Sequence, residues 1–251
     1  RVDGKHESVY PSAASRPLKE GDLYCVQYWG GGGSGDPIER DLSAVANDLR
    51  DGRSHMDAAE NVYCVSVDPG TFKVDEAETK RLREERKKER LAKGLPGKEY
   101  VRAMVERRKN NQLPEIVTEF FEEMTDFSEG FRNELAFEEA FAAGPDKEYP
   151  TAANKEVFKL TPYVNVMQSD NGRKVLACTE CGKVLCDANE NFKLYCLIYE
   201  RDPAEIYPKN NAPKKDWMVF REFYCPGCGA QMEVEGTPVA TPIVHSYEIE
   251  I

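Results

Sequence analysis

Two short motifs constrain this chain more than any other feature: Cys178-Thr179-Glu180-Cys181-Gly182 and Cys225-Pro226-Gly227-Cys228-Gly229. In each CxxCG turn two sulfurs face the same side, and the glycine after the second cysteine lets the backbone close tightly behind it. Two such turns supply four sulfurs, the donor set of a tetrahedral metal site. Zinc suits that set because the ion imposes no geometry of its own. Four protein ligands leave no position for water or substrate, so a metal held this way stabilises a fold instead of catalysing. The metal candidates are Cys178, Cys181, Cys225 and Cys228, with Cys186 near enough in sequence to replace Cys178. Iron in a rubredoxin-like site asks for the same ligands and stays open.

Cysteine placement favours metal over disulfides. Of the eight cysteines, six fall between Cys178 and Cys228. The N-terminus lacks the basic-then-apolar order of a secretion signal, and no stretch approaches the roughly 20 apolar residues of a spanning helix. The expectation is a soluble, cytoplasmic protein whose crowded thiols bind metal. Cys25, Cys64 and Cys196 sit in strand-like apolar runs and read as small core residues. A formal net charge of -11 opposes attraction to nucleic-acid phosphates or an anionic membrane.

Periodicity gives an α+β chain in three parts. Residues 1–74 read as an α/β segment: an aromatic strand over 23–29, a glycine loop over 30–35, a short helix from 42 that stops at Gly52, another turn or two near 57–63, and a strand to 67. Residues 75–150 read as a charged helical connector. Its first half, to about 111, is a solvated helix or arm rich in Lys, Arg and Glu. Its second half, 113–143, is acidic helix carrying a phenylalanine stripe (Phe120, Phe121, Phe127, Phe131, Phe137, Phe141). Residues 151–251 read as an antiparallel, zinc-ribbon-like β domain with strands near 157–160, 174–177, 193–199 and 217–224, the third apolar on both faces and therefore covered on both sides.

Catalytic constellations are missing. The glycine loop lacks the Lys-Ser or Lys-Thr of a phosphate-binding loop and is followed by Asp36. His6, His55 and His245 are the only histidines, too few to assemble a histidine site. His245, after an apolar run, reads as a capped structural residue or, less often, as one facing a neighbouring active site. Asp187, Asn191, Arg201 and Asp202 are candidates for a polar surface beside the metal, with Arg221 and Glu222 pairing across a strand. No catalytic and no cofactor-binding residue is assigned.

From Cys178 to His245 the order of motifs is specific: CxxCG, Cys186-Asp187, Asn191-Phe192-Lys193-Leu194, Arg201-Asp202, Ile206-Tyr207-Pro208, Ala212-Pro213, Trp217, Arg221-Glu222-Phe223-Tyr224-Cys225-Pro226, Cys228-Gly229 and Pro242-Ile243-Val244-His245. This stretch resembles the small gamma subunit of acetone and acetophenone carboxylases. The N-terminal run Gly30-Gly31-Gly32-Gly33-Ser34-Gly35-Asp36-Pro37-Ile38-Glu39-Arg40-Asp41, with Leu49-Arg50-Asp51-Gly52 and Ala58-Ala59, is similar to the C-terminal tail of hydantoinase B or oxoprolinase-type large subunits. It departs from them at Ser34, where an aromatic is usual, and at Cys64, where a glycine is usual. The resemblance implies a zinc-binding accessory subunit of an ATP-dependent ketone carboxylase, inactive alone. In such a hetero-oligomer, hydantoinase A-like and B-like large subunits hold ATP and Mn2+ or Mg2+ and join an activated ketone to bicarbonate. The rival readings are a stand-alone zinc-ribbon adaptor and a rubredoxin-like electron carrier.

Overall fold

The computed structural model describes residue 20, residues 35–150, 152–206 and 212–247, and residue 249. The strand expected over 23–29, residues 30–34 of the glycine loop, His6 and Cys25 lie outside the described residues. The fold combines helices with antiparallel sheets, as the α+β pattern anticipates.

The N-terminal part is built on carboxylates that cap turns. Asp36 opens a 3-10 turn, Pro37–Glu39, by accepting from the Ile38 amide at 3.2 Å. Asp41 does the same for helix α1 (Leu42–Arg50), accepting from Ala44 N at 2.9 Å, and the helix ends just before Gly52, whose φ is +68°. Helix α2 (Met56–Asn61) and a two-stranded ladder, β1 (Ser66–Val67) with β2 (Val74–Asp75), follow. Val45, Leu49, Ala59, Val65 and Val67 close a small core between them. Buried Cys64 turns the chain into that core with φ +50°, in the left-handed region where glycine is at ease. That is the position at which the large-subunit tails are expected to carry glycine.

The middle of the chain is helical. Helix α3 (Glu76–Lys93) starts at an Asp75 cap, carries Glu76 and Glu78 in its first turn and Arg90 and Lys93 in its last, so its charges run with the helix dipole. A short strand, β3 (Leu95–Pro96), leads into α4 (Gly97–Lys109), then α5 (Glu115–Phe127) and α6 (Glu129–Ala143). The expected solvated arm describes only the outer face of α3. Helix α4 turns Tyr100, Val101, Met104 and Val105 inward, two residues per turn on one face, and these join the main core. The phenylalanine stripe is also partly spent in packing: Phe120, Phe121 and Phe131 meet edge to face, and Phe120 reaches Trp217 at 5.7 Å.

Two four-stranded antiparallel sheets complete the architecture. One runs β4 (Lys155–Thr161), β5 (Val164–Gln168), β6 (Lys174–Cys178), β7 (Val184–Asp187) in chain order. The other, once β8 (Leu197–Arg201), β9 (Met218–Tyr224) and β10 (Gln231–Pro238) are in place, is ordered β10-β9-β8-β3, so the linker between α3 and α4 becomes its edge. Val164, Val166, Leu176, Ile198, Val219 and Phe223 from both sheets share one core with α4. The strand expected over 193–199 forms only from Leu197. Asn191 caps a 3-10 turn, Phe192–Tyr195, by accepting from Lys193 N, and this local bond removes the first half of the strand.

Buried ion pairs join these parts. The Asp36 carboxylate, with no exposed side-chain surface, accepts from Arg90 Nη1 at 2.7 Å, Arg90 Nη2 at 2.9 Å and Gln231 N at 2.9 Å, while the Asp36 amide donates to Tyr163 Oη at 2.6 Å. Burial pulls the Arg90 guanidinium down, but the bonds and charge of Asp36 outweigh it and the net shift is upward. A second pair, Arg108 to Glu138 at 2.7 Å, holds α4 to α6, and Glu138 also accepts from Ile243 N at 2.8 Å. Asp36→Ala would leave the Arg90 charge buried without its partner. Its unfolding free energy, measured by denaturant titration, is expected to fall by about 3–5 kcal/mol.

Candidate metal centre

Each CxxCG turn is the tip of a hairpin. The first joins β6 to β7, with Cys178 N donating to Lys183 O and Gly182 N donating to Cys178 O, both at 2.9 Å. The second joins β9 to β10 with the same two bonds, Cys225 N to Ala230 O and Gly229 N to Cys225 O, again at 2.9 Å. The two hairpins belong to different sheets, and their tips meet. Sγ of Cys178 lies 3.9 Å from that of Cys228, and Sγ of Cys181 lies 3.7 Å from that of Cys225. All four sulfurs lie within 4.8 Å of one another.

These distances fit a tetrathiolate. A metal–sulfur bond of about 2.3 Å sets tetrahedral sulfur–sulfur edges of about 3.8 Å, whereas a disulfide needs about 2.05 Å. The donor set is uniformly soft, which selects zinc or iron over magnesium or calcium. Cys178 and Cys225 are buried, Cys228 is half-buried and Cys181 is exposed, so the cluster has a dry inner side and a wet outer one. So close together, the thiols share protons. Bonds from Cys178 and then Cys225 hold Cys228 well below the usual thiol value, while bonds to Cys178 and Cys228 raise Cys225.

Glycine is required at both tips, for unequal reasons. Gly182 has φ +72° with open space around it, so only its backbone angle matters. Gly229 has φ +73°, and a Cβ there would stand 2.5 Å from the carbonyl oxygen of Lys87 on α3. The second tip is therefore pressed against α3, where Arg90 Nη1 also donates to Gly229 O at 3.2 Å.

The other sequence candidates are placed apart from the sulfurs. Cys186 is buried in β7 with its Sγ 3.9 Å from Glu190 O, outside the four-sulfur group. Cys196 lies in the core against Met232 Sδ at 3.7 Å. Asp187 pairs with Arg173 at 2.7 Å, Asn191 donates to Ile243 O at 3.0 Å, and Asp202 caps the turn Pro203–Glu205. Arg201 pairs with Glu222 across β8 and β9 through bonds of 2.7 and 2.9 Å, as the cross-strand expectation has it, but Arg221 turns the other way to Glu235 at 3.0 Å. His245 is half-buried and His55 is exposed. Sequence reasoning missed Arg90, Gln231 and Tyr163 as partners of Asp36. Asp36 itself was visible within the Gly-Asp-Pro run, but nothing in a run of lysines, arginines and glutamates singles out the one arginine that turns inward.

Residues 152–251 match the acetone carboxylase gamma subunit family. The acetophenone carboxylase beta subunit of Aromatoleum aromaticum is 40% identical over 102 residues, 38% of this chain and 77% of that relative. The chain belongs to the acetone carboxylase gamma subunit family. The acetone carboxylase gamma subunit of Xanthobacter autotrophicus is 33% identical over 102 residues, 39% of this chain, which spans 61% of that relative's length. The acetophenone carboxylase delta subunit of Aromatoleum aromaticum is 32% identical over 113 residues, 45% of this chain but 16% of that longer relative. Both CxxCG tips fall within the stretch matched to the gamma subunit family.

Two outcomes test the centre. Cys225→Ser is expected to lose bound metal by elemental analysis and to lower the thermal midpoint. In the Gly→Ala pair, Gly182→Ala is expected to cost about 1–2 kcal/mol, the left-handed backbone alone, and Gly229→Ala distinctly more, because its methyl collides with α3. Equal losses in denaturant titration would contradict the close approach.

Proposed function

We propose that this chain is a zinc-binding accessory subunit of an ATP-dependent ketone carboxylase and carries no active site of its own. The observation that supports it is the meeting of four sulfurs from two sheets within a gamma-subunit-family stretch. In this reading Cys178, Cys181, Cys225 and Cys228 hold the zinc, which with four thiolates supplies a cross-link between sheets and no open coordination position. The rest is done by the chain: Asp36 and Arg90 hold the N-terminal part against the second tip, and Arg108 and Glu138 hold the helices against the C-terminal segment.

Residues 1–74 serve as the large-subunit-tail-like segment, 75–150 as the connector and 151–251 as the ribbon. ATP and Mn2+ or Mg2+ then belong to hydantoinase A-like and B-like partner chains in a hetero-oligomer. Support comes from the names of the relatives, which are gamma, beta and delta subunits of ketone carboxylases. A cytoplasmic setting agrees with thiols kept reduced for metal, and no helix among the described residues is long and apolar enough to cross a membrane.

The test is purification of the tagged chain from its native host without stripping partners, with copurifying proteins and metal measured in one sample. Large carboxylase subunits with about one zinc per chain are expected. A chain that comes alone overturns the subunit role, and iron or absence of metal overturns the zinc.

A further inference from the structure

A cavity of about 640 Å3 lies beside the first tip, between the C-terminal end of α6, the start of α4 and the turn that carries Tyr195. Its volume is that of a pocket for one small molecule, within the usual range of about 300–1,000 Å3. The wall is mainly apolar and aromatic, with Leu185 and Leu194 buried beneath it. Phe141, Tyr149 and Tyr195 form an edge-to-face group, Tyr195 standing 5.7 Å from Phe141 and 5.4 Å from Tyr149.

The charge around this wall is unlike that of the chain as a whole. Three lysines line it, Lys98, Lys147 and Lys183, against two carboxylates, Asp146 and Glu190, in a protein of net charge -11. Lys98 is paired with Asp146 at 2.6 Å, and Lys147 is paired with Glu190, which also accepts from Tyr149 Oη at 2.7 Å. Lys183 pairs with no carboxylate among the described residues, so among them one positive charge at the rim is left over. A cationic guest is disfavoured on a second ground. Two aromatic faces that would attract it already carry cations, Lys98 over Phe141 at 5.8 Å and Arg173 over Tyr149 at 5.4 Å.

We propose that this cavity binds a small monocarboxylate with an aromatic or branched apolar body, the body against Phe141 and Tyr195 and the carboxylate at Lys183. The site does not rest on the carboxylase reading, because binding is read on the chain itself.

The experiment is calorimetric titration of the full chain with phenylpropanoate, phenylpropanamide and phenylpropylamine, which share a body and differ in head-group charge. The acid is expected to bind about tenfold tighter than the amide, with the amine weakest. Lys183→Gln is expected to bring the acid close to the amide. Ala140→Trp, which places a ring in the cavity from an exposed position on α6, is expected to abolish binding of all three without lowering the thermal midpoint. Equal affinities for the three, a preference for the amine, no binding of the acid, or unchanged binding in Ala140→Trp would each overturn the proposal.

Discussion

The arrangement depends first on the burial of one carboxylate. Asp36 has four donors on its two oxygens: the Ile38 amide, two guanidinium nitrogens of Arg90 and the Gln231 amide. A buried carboxylate is costly unless its lone pairs are met, and here they are met from three separate parts of the chain. Through those bonds the turn Pro37–Glu39, helix α3 and the start of β10 are fixed to one point. Tyr163, between β4 and β5, adds that hairpin, its hydroxyl oxygen accepting from the Asp36 amide. No apolar contact would give such directional agreement between elements so far apart in sequence.

The sulfur cluster is the second such point, and it does for the two sheets what Asp36 does for the N-terminal part. Gly229 belongs to both: its carbonyl accepts from Arg90, and its amide closes the turn that presents Cys225 and Cys228. A shift of α3 therefore acts on the second tip directly. The ionic joint and the sulfur site form one mechanical unit, which explains why a run of polar residues in α3 tolerates a buried arginine near its end.

How much of this was legible depends on how local each cause is. The CxxCG tips were readable because two cysteines and a glycine within five positions define the turn, and the β strands beside them follow from branched and aromatic residues. Helices α1, α5 and α6 were readable from apolar spacing. The 3-10 turn at Phe192–Tyr195 was hidden because a single side-chain bond from Asn191 overrides an apolar run that looks like a strand. The inward faces of α3 and α4 were hidden because Arg90 and Arg108 resemble their solvated neighbours, and only distant partners, Asp36 and Glu138, distinguish them. The N-terminal aspartate was recognisable as part of a motif before its task was.

The separation of the two tips along the chain has a consequence for how the protein assembles. Cys181 and Cys225 are 44 residues apart, and β8 with its preceding turn must be laid down between them. A half-site of two thiols exists as soon as the first hairpin closes, but the full donor set awaits a long-range closure whose entropy is unfavourable until the second hairpin packs. With a metal at this site, a cation caught early by the first tip alone would be held by only half its ligands and would exchange readily, so a complete coordination sphere would record that both sheets have reached their native places.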